Sequence, residues 1–340
     1  CDKRIIASEE REAYFRGLRA VVENGAYDWV VPGDDGVLRM CRDISEDDPL
    51  FTKIVPLSKS ECRDILGSKA GLSLACTEYG IVTPAYRVVG RGADSGLLAE
   101  SVGFPLLAKV NESAGGSGVF LCKRAADVKR VIAELPYGDT ENVLLQKYIT
   151  GKNVAVEALY KRGALVAYAY SVVTKTLRGE FGVSVERQYL ERPEIEGRLG
   201  EIGQAFGLHG FASMTFIYDG IEHYFVEADL RPQAWCLLGS LAGTDFSLGI
   251  REFFSEHPQL VRPKLLNSKR EVMLRHFPRE IYWYLEHDSY KGFWLWFINR
   301  EGRWNAIAWR DTRLLWYTVL RAAQYWRKRF MRGLRGFVRG

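Results

Sequence analysis

The segment Val226-Glu227-Ala228-Asp229-Leu230-Arg231-Pro232 closes an alternating run made of Thr215 to Tyr218, a turn at Asp219-Gly220, and Ile221 to Val226. Acids two residues apart on a strand share one face, and Arg231 continues that face. Two carboxylates beside a guanidinium suit a Mg²⁺ ion and a transferring phosphoryl group. Well upstream, Lys109 stands near the end of the apolar run Phe104 to Val110 and is followed by a loop holding Gly115-Gly116-Ser117-Gly118. Glycines let backbone N–H groups approach phosphate oxygens, and a lysine supplies a point charge for them. Taken singly, the glycines also read as a tight turn, and Lys109 as an edge-strand lysine whose head reaches solvent. Their order, lysine strand then glycine loop then acidic strand, is what points to a nucleotide site.

The elements that would position these residues are legible in the pattern. Glu9 to Glu23 reads as an amphipathic helix with Phe15, Leu18, Val21 and Val22 as its stripe. Tyr27 to Val31 reads as a short buried strand ending in the turn-rich Pro32 to Gly36, one βα unit of an open parallel sheet. Helices are expected over Ser58 to Leu66, with Ser58 as N-cap, and over Ser68 to Tyr79. Strands are expected over Phe104 to Val110, Gly118 to Cys122 and Val143 to Ile149, and a helix over Ala125 to Leu135. Val154 to Tyr160 and Ala164 to Val173 should pair as a hairpin across Lys161-Arg162-Gly163, and Glu194 to Phe206 should form a helix stopped by Gly207. There is no internal repeat and no low-complexity segment.

The order of these parts resembles the ATP-grasp superfamily, in its carbamoyl-phosphate-synthase-like carboxylate–amine ligase branch, from about Ser58 to Phe254. The resemblance implies an α/β fold with α+β subdomains. A partial Rossmann-like preATP-grasp domain (residues 1–57) would precede the ATP-grasp domain (58–263, divided near 145), and a helical, aromatic, basic extension (264–340) would follow. It places Lys69 near the phosphates, ahead of Gly80-Ile81-Val82-Thr83-Pro84, and Lys109 on the α/β-phosphates. Gly115, Gly116, Ser117 and Gly118 become the loop that closes over ATP, and Gln146-Lys147-Tyr148-Ile149 the hinge that holds adenine by its backbone. Glu227 and Asp229 match the metal ligands of the E-x-N-x-R signature, for Mg²⁺ or Mn²⁺. Arg231 matches its arginine, which with Lys109 would act on the transferred phosphoryl group. Three positions depart from the family pattern. Asn153 stands where an acid often binds the ribose, Thr215 where a further metal ligand is expected, and Asp229 where Asn is common. Lys175, Arg178 and Arg187 lie in an excursion that would face phosphates or the substrate carboxylate; each reads equally as a solvated loop charge.

Composition sets outer bounds. With 340 residues, 47% hydrophobic and 26% charged, the chain has ample core for two or three domains. A net charge of +5 is too small for a nucleic-acid polycation. The six cysteines form no C-x-x-C pair and the five histidines are scattered, which argues against a zinc site or a disulfide framework and for a reducing cytosol. Cys122 and Cys236 read as small buried hydrophobes, and His209 and His223 as structural histidines. His287-Asp288 is an acid/base pair only if its neighbours converge. No stretch reads as a signal peptide or membrane span, and the start at Cys1 without Met leads us to expect a segment ahead of it. From Arg313 onward there are eight Lys/Arg and no acids. On a helical wheel Leu315, Val319, Ala322, Ala323, Trp326 and Phe330 face one way, and Arg321, Lys328, Arg332 and Arg335 the other. Such a helix either lies on an anionic membrane surface or packs its apolar face on the protein, with nucleic acid a third partner.

The resulting expectation is an ATP- and Mg-dependent ligase that activates a small-molecule carboxylate as an acylphosphate for attack by an amine. It would be cytoplasmic or peripheral at the inner membrane face, with a homodimer among its assemblies. The alternative is a nucleotide-binding protein with little catalysis that acts as a membrane-associated assembly factor.

Overall fold

The long hairpin anticipated around Arg162-Gly163 forms the spine of the molecule. In the computed structural model β5 (Lys152–Lys161) and β6 (Ala164–Thr176) pair antiparallel from Val154↔Val172 to Lys161↔Ala164. Arg162 (φ 48) and Gly163 (φ 86) are both left-handed, the twist a two-residue hairpin loop favours. The structure describes residues 11–25, 27–90, 92–113, 115–135, 142–177, 179–241, 243–265, 271–276, 279–287 and a scatter of positions from 291 to 327.

Ahead of the hairpin come α1 (Arg11–Asn24), α2 (Asp35–Cys41), the single turn α3 (Phe51–Ile54), a 3₁₀ turn over Ser60–Ile65, and α4 (Lys69–Glu78). A four-stranded antiparallel sheet then assembles from β1 (Tyr86–Val89), β2 (Leu106–Val110), β3 (Val119–Cys122) and β4 (Val143–Lys147), in the order β1-β4-β2-β3. The helices α5 (Ser95–Val102) and α6 (Ala125–Glu134) belong to this unit, and Val89, Ala99, Leu106, Val128 and Leu145 form its core. After the hairpin come β7 (Ser184–Leu190), α7 (Glu196–Phe206), β8 (Gly210–Tyr218), β9 (His223–Asp229), α8 (Phe246–Phe254), β10 (Glu271–Arg275) and α9 (Arg279–Glu286). The second sheet is also antiparallel, β10-β7-β6-β5-β8-β9. Val154 to Tyr160 are buried because both faces of that sheet are covered.

Two local expectations change. Tyr27 to Val31 is irregular, with a bend at Asp28, and pairs with no strand among the described residues; Val30 donates its N–H to the Lys53 carbonyl (2.8 Å), and Trp29 stacks on Phe253 at 4.6 Å between ring centroids. The apolar run is thus satisfied by aromatic packing and needs no strand neighbours. Ser58 caps no helix. Its N–H (2.7 Å) and hydroxyl (3.0 Å) both donate to the Gly207 carbonyl at the end of α7, which Gly207 closes with φ 63.

Candidate active site

Strand β9 presents the acids as its alternation requires. Across the β8 partner, Thr215 stands opposite Glu227 and Ser213 opposite Asp229, with a bulge between Thr215 and Phe216. The further ligand position is therefore filled by a neutral hydroxyl directly across from Glu227. Asp229 accepts a hydrogen bond from Gln233 Nε2 (2.5 Å) and lies 3.7 Å from the Arg231 guanidinium. Burial pushes its pKa up to about 7, and the nearby charges of Glu227 and Asp35 push the same way. A surplus of negative charge is what a divalent cation would relieve. Among the described residues no group of three His, Cys, Asp or Glu could hold a metal ion. A Mg²⁺ here would take one or two carboxylates from the protein and its other oxygens from phosphates and water, its usual habit.

Lys69 opens α4, whose N-cap is Ser68, and Asn111 Oδ1 accepts from the Ala70 N–H at 2.8 Å. Its Nζ donates to the carbonyl oxygens of Ser113 and Asn111 (3.5 Å for the latter) and lies 4.0 Å from Glu227 Oε1. Lys109 on β2 is only 7% exposed and donates to Gln146 Oε1 at 2.6 Å. Burial draws its pKa down to about 8; Lys69 adds to this and Glu227 opposes it. The edge-strand alternative for Lys109 thus fails, since β2 lies between β3 and β4 and the ammonium is buried. In the loop, Gly115 (φ 64) and Gly116 (φ 77) are left-handed, and a Cβ on Gly116 would sit 1.9 Å from the Phe181 carbonyl oxygen. Only glycine allows the loop to lie this close to the end of the hairpin excursion. Asp35, Arg39, Lys69, Glu112, Glu227 and Asp229 line one cleft.

The hinge narrows. Gln146 and Lys147 end β4, while the Lys147 and Tyr148 N–H groups are taken up by the Ala85 (2.7 Å) and Pro105 (3.2 Å) carbonyls. The Lys147 ammonium donates to Phe104 O at 2.9 Å, and the Tyr148 hydroxyl to Glu180 at 2.7 Å. Those groups hold the fold, so neither residue offers its N–H to a base; Ile149 follows β4 directly. Gln146 Nε2 and Asn153 Oδ1, in contrast, are buried with no hydrogen-bond partner among the described residues.

Two of the three excursion cations are already engaged. A bulge after Val173 turns Lys175 to face Glu186 (3.1 Å), and its ammonium lies 5.1 Å from the Trp283 ring centroid. Arg187 is buried; it donates to Glu157 Oε1 (2.7 Å) and Ser184 Oγ (3.1 Å) and stacks on Trp235 at 4.4 Å. Both lie on strands and are ion-paired, Arg187 in the interior and Lys175 with part of its side chain still exposed. Arg178 lies outside the described residues. Sequence reasoning missed Glu157, although one acid in an otherwise apolar strand was a signal, because a buried carboxylate demands a partner. It missed Asp35 as well, which accepts from Arg231 Nε at 2.7 Å, and for this pairing there was no signal at all.

The remaining candidates are structural. His209 Nδ1 accepts from the Arg162 N–H and stacks on Phe253; His223 meets the Tyr170 hydroxyl at 3.1 Å and stacks on Tyr218. His287 is bonded to the Trp283 carbonyl, and Asp288 lies outside the described residues. Cys122 is buried and Cys236 mostly so, and burial raises both thiols.

Residues 59–187 match the family model of the RimK-like ATP-grasp domain. Over those residues, a little over a third of its length, the chain is similar to the ATP-grasp superfamily. The chain is similar to the D-alanine–D-alanine ligase of Desulforudis audaxviator, 26% identical over 170 residues that make up 45% of this chain and 54% of that protein. It is also similar to the D-alanine–D-alanine ligase of Geobacter sulfurreducens, 24% identical over 190 residues, 51% of this chain and 58% of that one. The chain thus spans little more than half the length of these relatives. The fold is also that of N5-carboxyaminoimidazole ribonucleotide synthetase, solved as its ADP complex: TM-score 0.61, 16% identity, covering 84% of this chain and 73% of that one. The biotin carboxylase domain of Hydrogenobacter thermophilus 2-oxoglutarate carboxylase, solved with MgADP and bicarbonate, gives a TM-score of 0.55 at 17% identity over 76% and 61% of the two chains.

Proposed function

We propose that the protein is an ATP- and Mg-dependent carboxylate–amine ligase. The observation that carries this reading is the convergence of Lys69, Lys109 and the root of the glycine loop at Glu112 and Ser113 on Glu227 and Asp229 within an ATP-grasp fold. Glu227 and Asp229 would hold Mg²⁺, which when bound neutralises phosphate charge. Lys69, Lys109 and the backbone from Gly115 to Gly118 would hold the phosphates. The unpartnered Gln146 amide and Asn153 oxygen fit a base and a ribose hydroxyl, with Ile149 completing the hinge. Arg231, aimed by Asp35, faces the phosphoryl group that a substrate carboxylate attacks. The resulting acylphosphate is then opened by an amine, giving an amide and phosphate. None of these steps needs a protein nucleophile, so catalysis is positioning and charge stabilisation. Isothermal titration with Mg·ATP should show binding, and ADP release across a panel of small carboxylates and amines should require one of each. Absence of binding refutes the reading, whereas binding without release on any pair favours the nucleotide-binding alternative that Thr215 suggests.

We also infer that the C-terminal extension docks on an anionic membrane surface. Leu315 packs with Ile281, Trp283 and Tyr284, but Val319, four residues on, is 54% exposed, so the expected apolar stripe does not bury as a unit. Trp316, Tyr317 and Leu320 are exposed beside it. Ala322, Trp326, Phe330, Lys328, Arg332 and Arg335 lie outside the described residues. Exposed tryptophan and aliphatic groups followed by a run of cations suit lipid headgroups, each cation being worth about 1 kcal/mol near such a surface. No helix among the described residues is long and apolar enough to cross a membrane, and the docking proposed here is peripheral. Truncation after Arg313 should cut co-sedimentation with phosphatidylserine vesicles at least tenfold; unchanged partitioning would assign the extension to packing alone.

A further inference from the structure

Helix α2 lies outside the span matched by the ATP-grasp family model, yet it reaches two parts of the cleft at once. Asp35, Arg39 and Arg42, the residue that ends the helix, are spaced i, i+4, i+7 and form one stripe. Leu38 and Cys41, off that stripe, are buried in the main core and fix the helix as a rigid base. At one end of the stripe Asp35 accepts from Arg231 Nε at 2.7 Å. At the other, Arg39 Nε lies 3.3 Å and Arg42 NH1 2.8 Å from the two carboxylate oxygens of Glu112, at the root of the glycine loop. Gly67 makes room for this arrangement: a Cβ there would meet Arg39 Cγ at 3.1 Å, and its φ of 65 excludes most other residues. Arg42 is itself held by a bond from Nε to the Leu66 carbonyl at 2.7 Å.

We propose that α2 is a two-headed positioning element that fixes the root of the phosphate loop through Glu112 and aims the Arg231 guanidinium through Asp35. Neither Asp35 nor Arg39 needs to touch the reacting atoms. Asp35 takes the Nε of Arg231 while Nη2 lies 3.7 Å from Asp229, so the guanidinium is held between α2 and the acidic strand. Glu112 pinned by two arginines keeps Asn111 and Ser113 against Lys69, the geometry the loop must keep to close over phosphates.

The inference rests on the ligase reading, and the probes are chosen so that the two can fail separately. The probes are Mg·ADP and the Mg complex of β,γ-imido-ATP, titrated into the full chain by calorimetry, with thermal midpoints recorded in parallel. Glu112→Gln should weaken both nucleotides three- to tenfold, and Glu112→Asp should recover most of the loss. Asp35→Asn should leave Mg·ADP within twofold but reduce the preference for the triphosphate analogue over ADP at least threefold, with Asp35→Glu restoring it. Thermal midpoints should stay near wild type. Wild-type binding with both variants indistinguishable from it overturns the inference alone. So does a loss that follows the thermal midpoint and is not rescued by Glu112→Asp or Asp35→Glu, since that marks a merely structural role. Failure of the wild type to bind either nucleotide overturns the ligase reading and this inference with it.

Discussion

Glu227→Gln is expected to lower turnover by roughly a thousandfold on whichever carboxylate–amine pair supports ADP release. The amide keeps the shape of the side chain and removes one of the two carboxylates available to a metal. The strand opposite cannot replace it, because the residues across from Glu227 and Asp229 are the neutral Thr215 and Ser213. Lys69, 4.0 Å from Glu227, would then lie beside an uncharged group, and phosphate charge would be balanced by lysines alone. Folding should hardly notice, since the Glu227 side chain is 45% exposed; the change in stability should stay within about 0.5 kcal/mol, as for most surface substitutions. Steady-state ADP release at rising Mg²⁺, with a denaturation curve on the same sample, separates the two effects. Full activity in this variant would remove Glu227 from the metal site.

Lys109→Met is expected to weaken Mg·ATP about ten- to a hundredfold, the usual worth of one buried charge-assisted hydrogen bond. The wild-type lysine should also make binding depend on pH, in a direction opposite to its effect on stability. In the free protein Lys109 loses its proton as pH rises through about 8, and only the protonated form attracts phosphate. Affinity should therefore fall above pH 8, by at most about tenfold per pH unit. For stability, the folded pKa lies below the unfolded value of 10.5, so between the two the unfolded chain binds more protons. Stability should rise over that window by up to about 1.4 kcal/mol per pH unit from this group. Calorimetry and urea denaturation at pH 7.5, 8.5 and 9.5 check both signs. Lys109→Met should flatten each profile, and an unchanged pH profile in that variant would assign the titration to another group.

Much of this site is local, and local geometry is what a sequence encodes most directly. The alternation of β9 by itself puts Glu227 and Asp229 on one face, because successive side chains on a strand point opposite ways. Gly115 and Gly116 mark a loop because only glycine adopts their left-handed backbone cheaply. The hairpin at Arg162-Gly163 and the stop at Gly207 follow from the same rule. The order of these pieces along the chain is what resembles the ATP-grasp superfamily, and the match of residues 59–187 to the RimK-like ATP-grasp domain agrees with it.

What needed the tertiary structure is every feature set by residues far apart or by a shift in register. Tyr27 to Val31 carries a strand's composition, but whether it pairs depends on a neighbour, and Trp29 found Phe253 instead. Lys175 faces Glu186 because the ladder shifts register on both sides of it, and side-chain alternation is lost whenever a residue is inserted into the ladder. Arg187 found Glu157 across the sheet, so a side chain that read equally as a substrate cation or a solvated loop charge forms a buried ion pair. Asp35 reaches Arg231 across 196 residues of chain, and nothing in either segment announces the other. The sequence alone determined which chemistry is proposed for the chain, since residue type and short spacing suggest it. The tertiary structure decided which charges are free to perform that chemistry, since a charge is free only when folding has brought no partner to it.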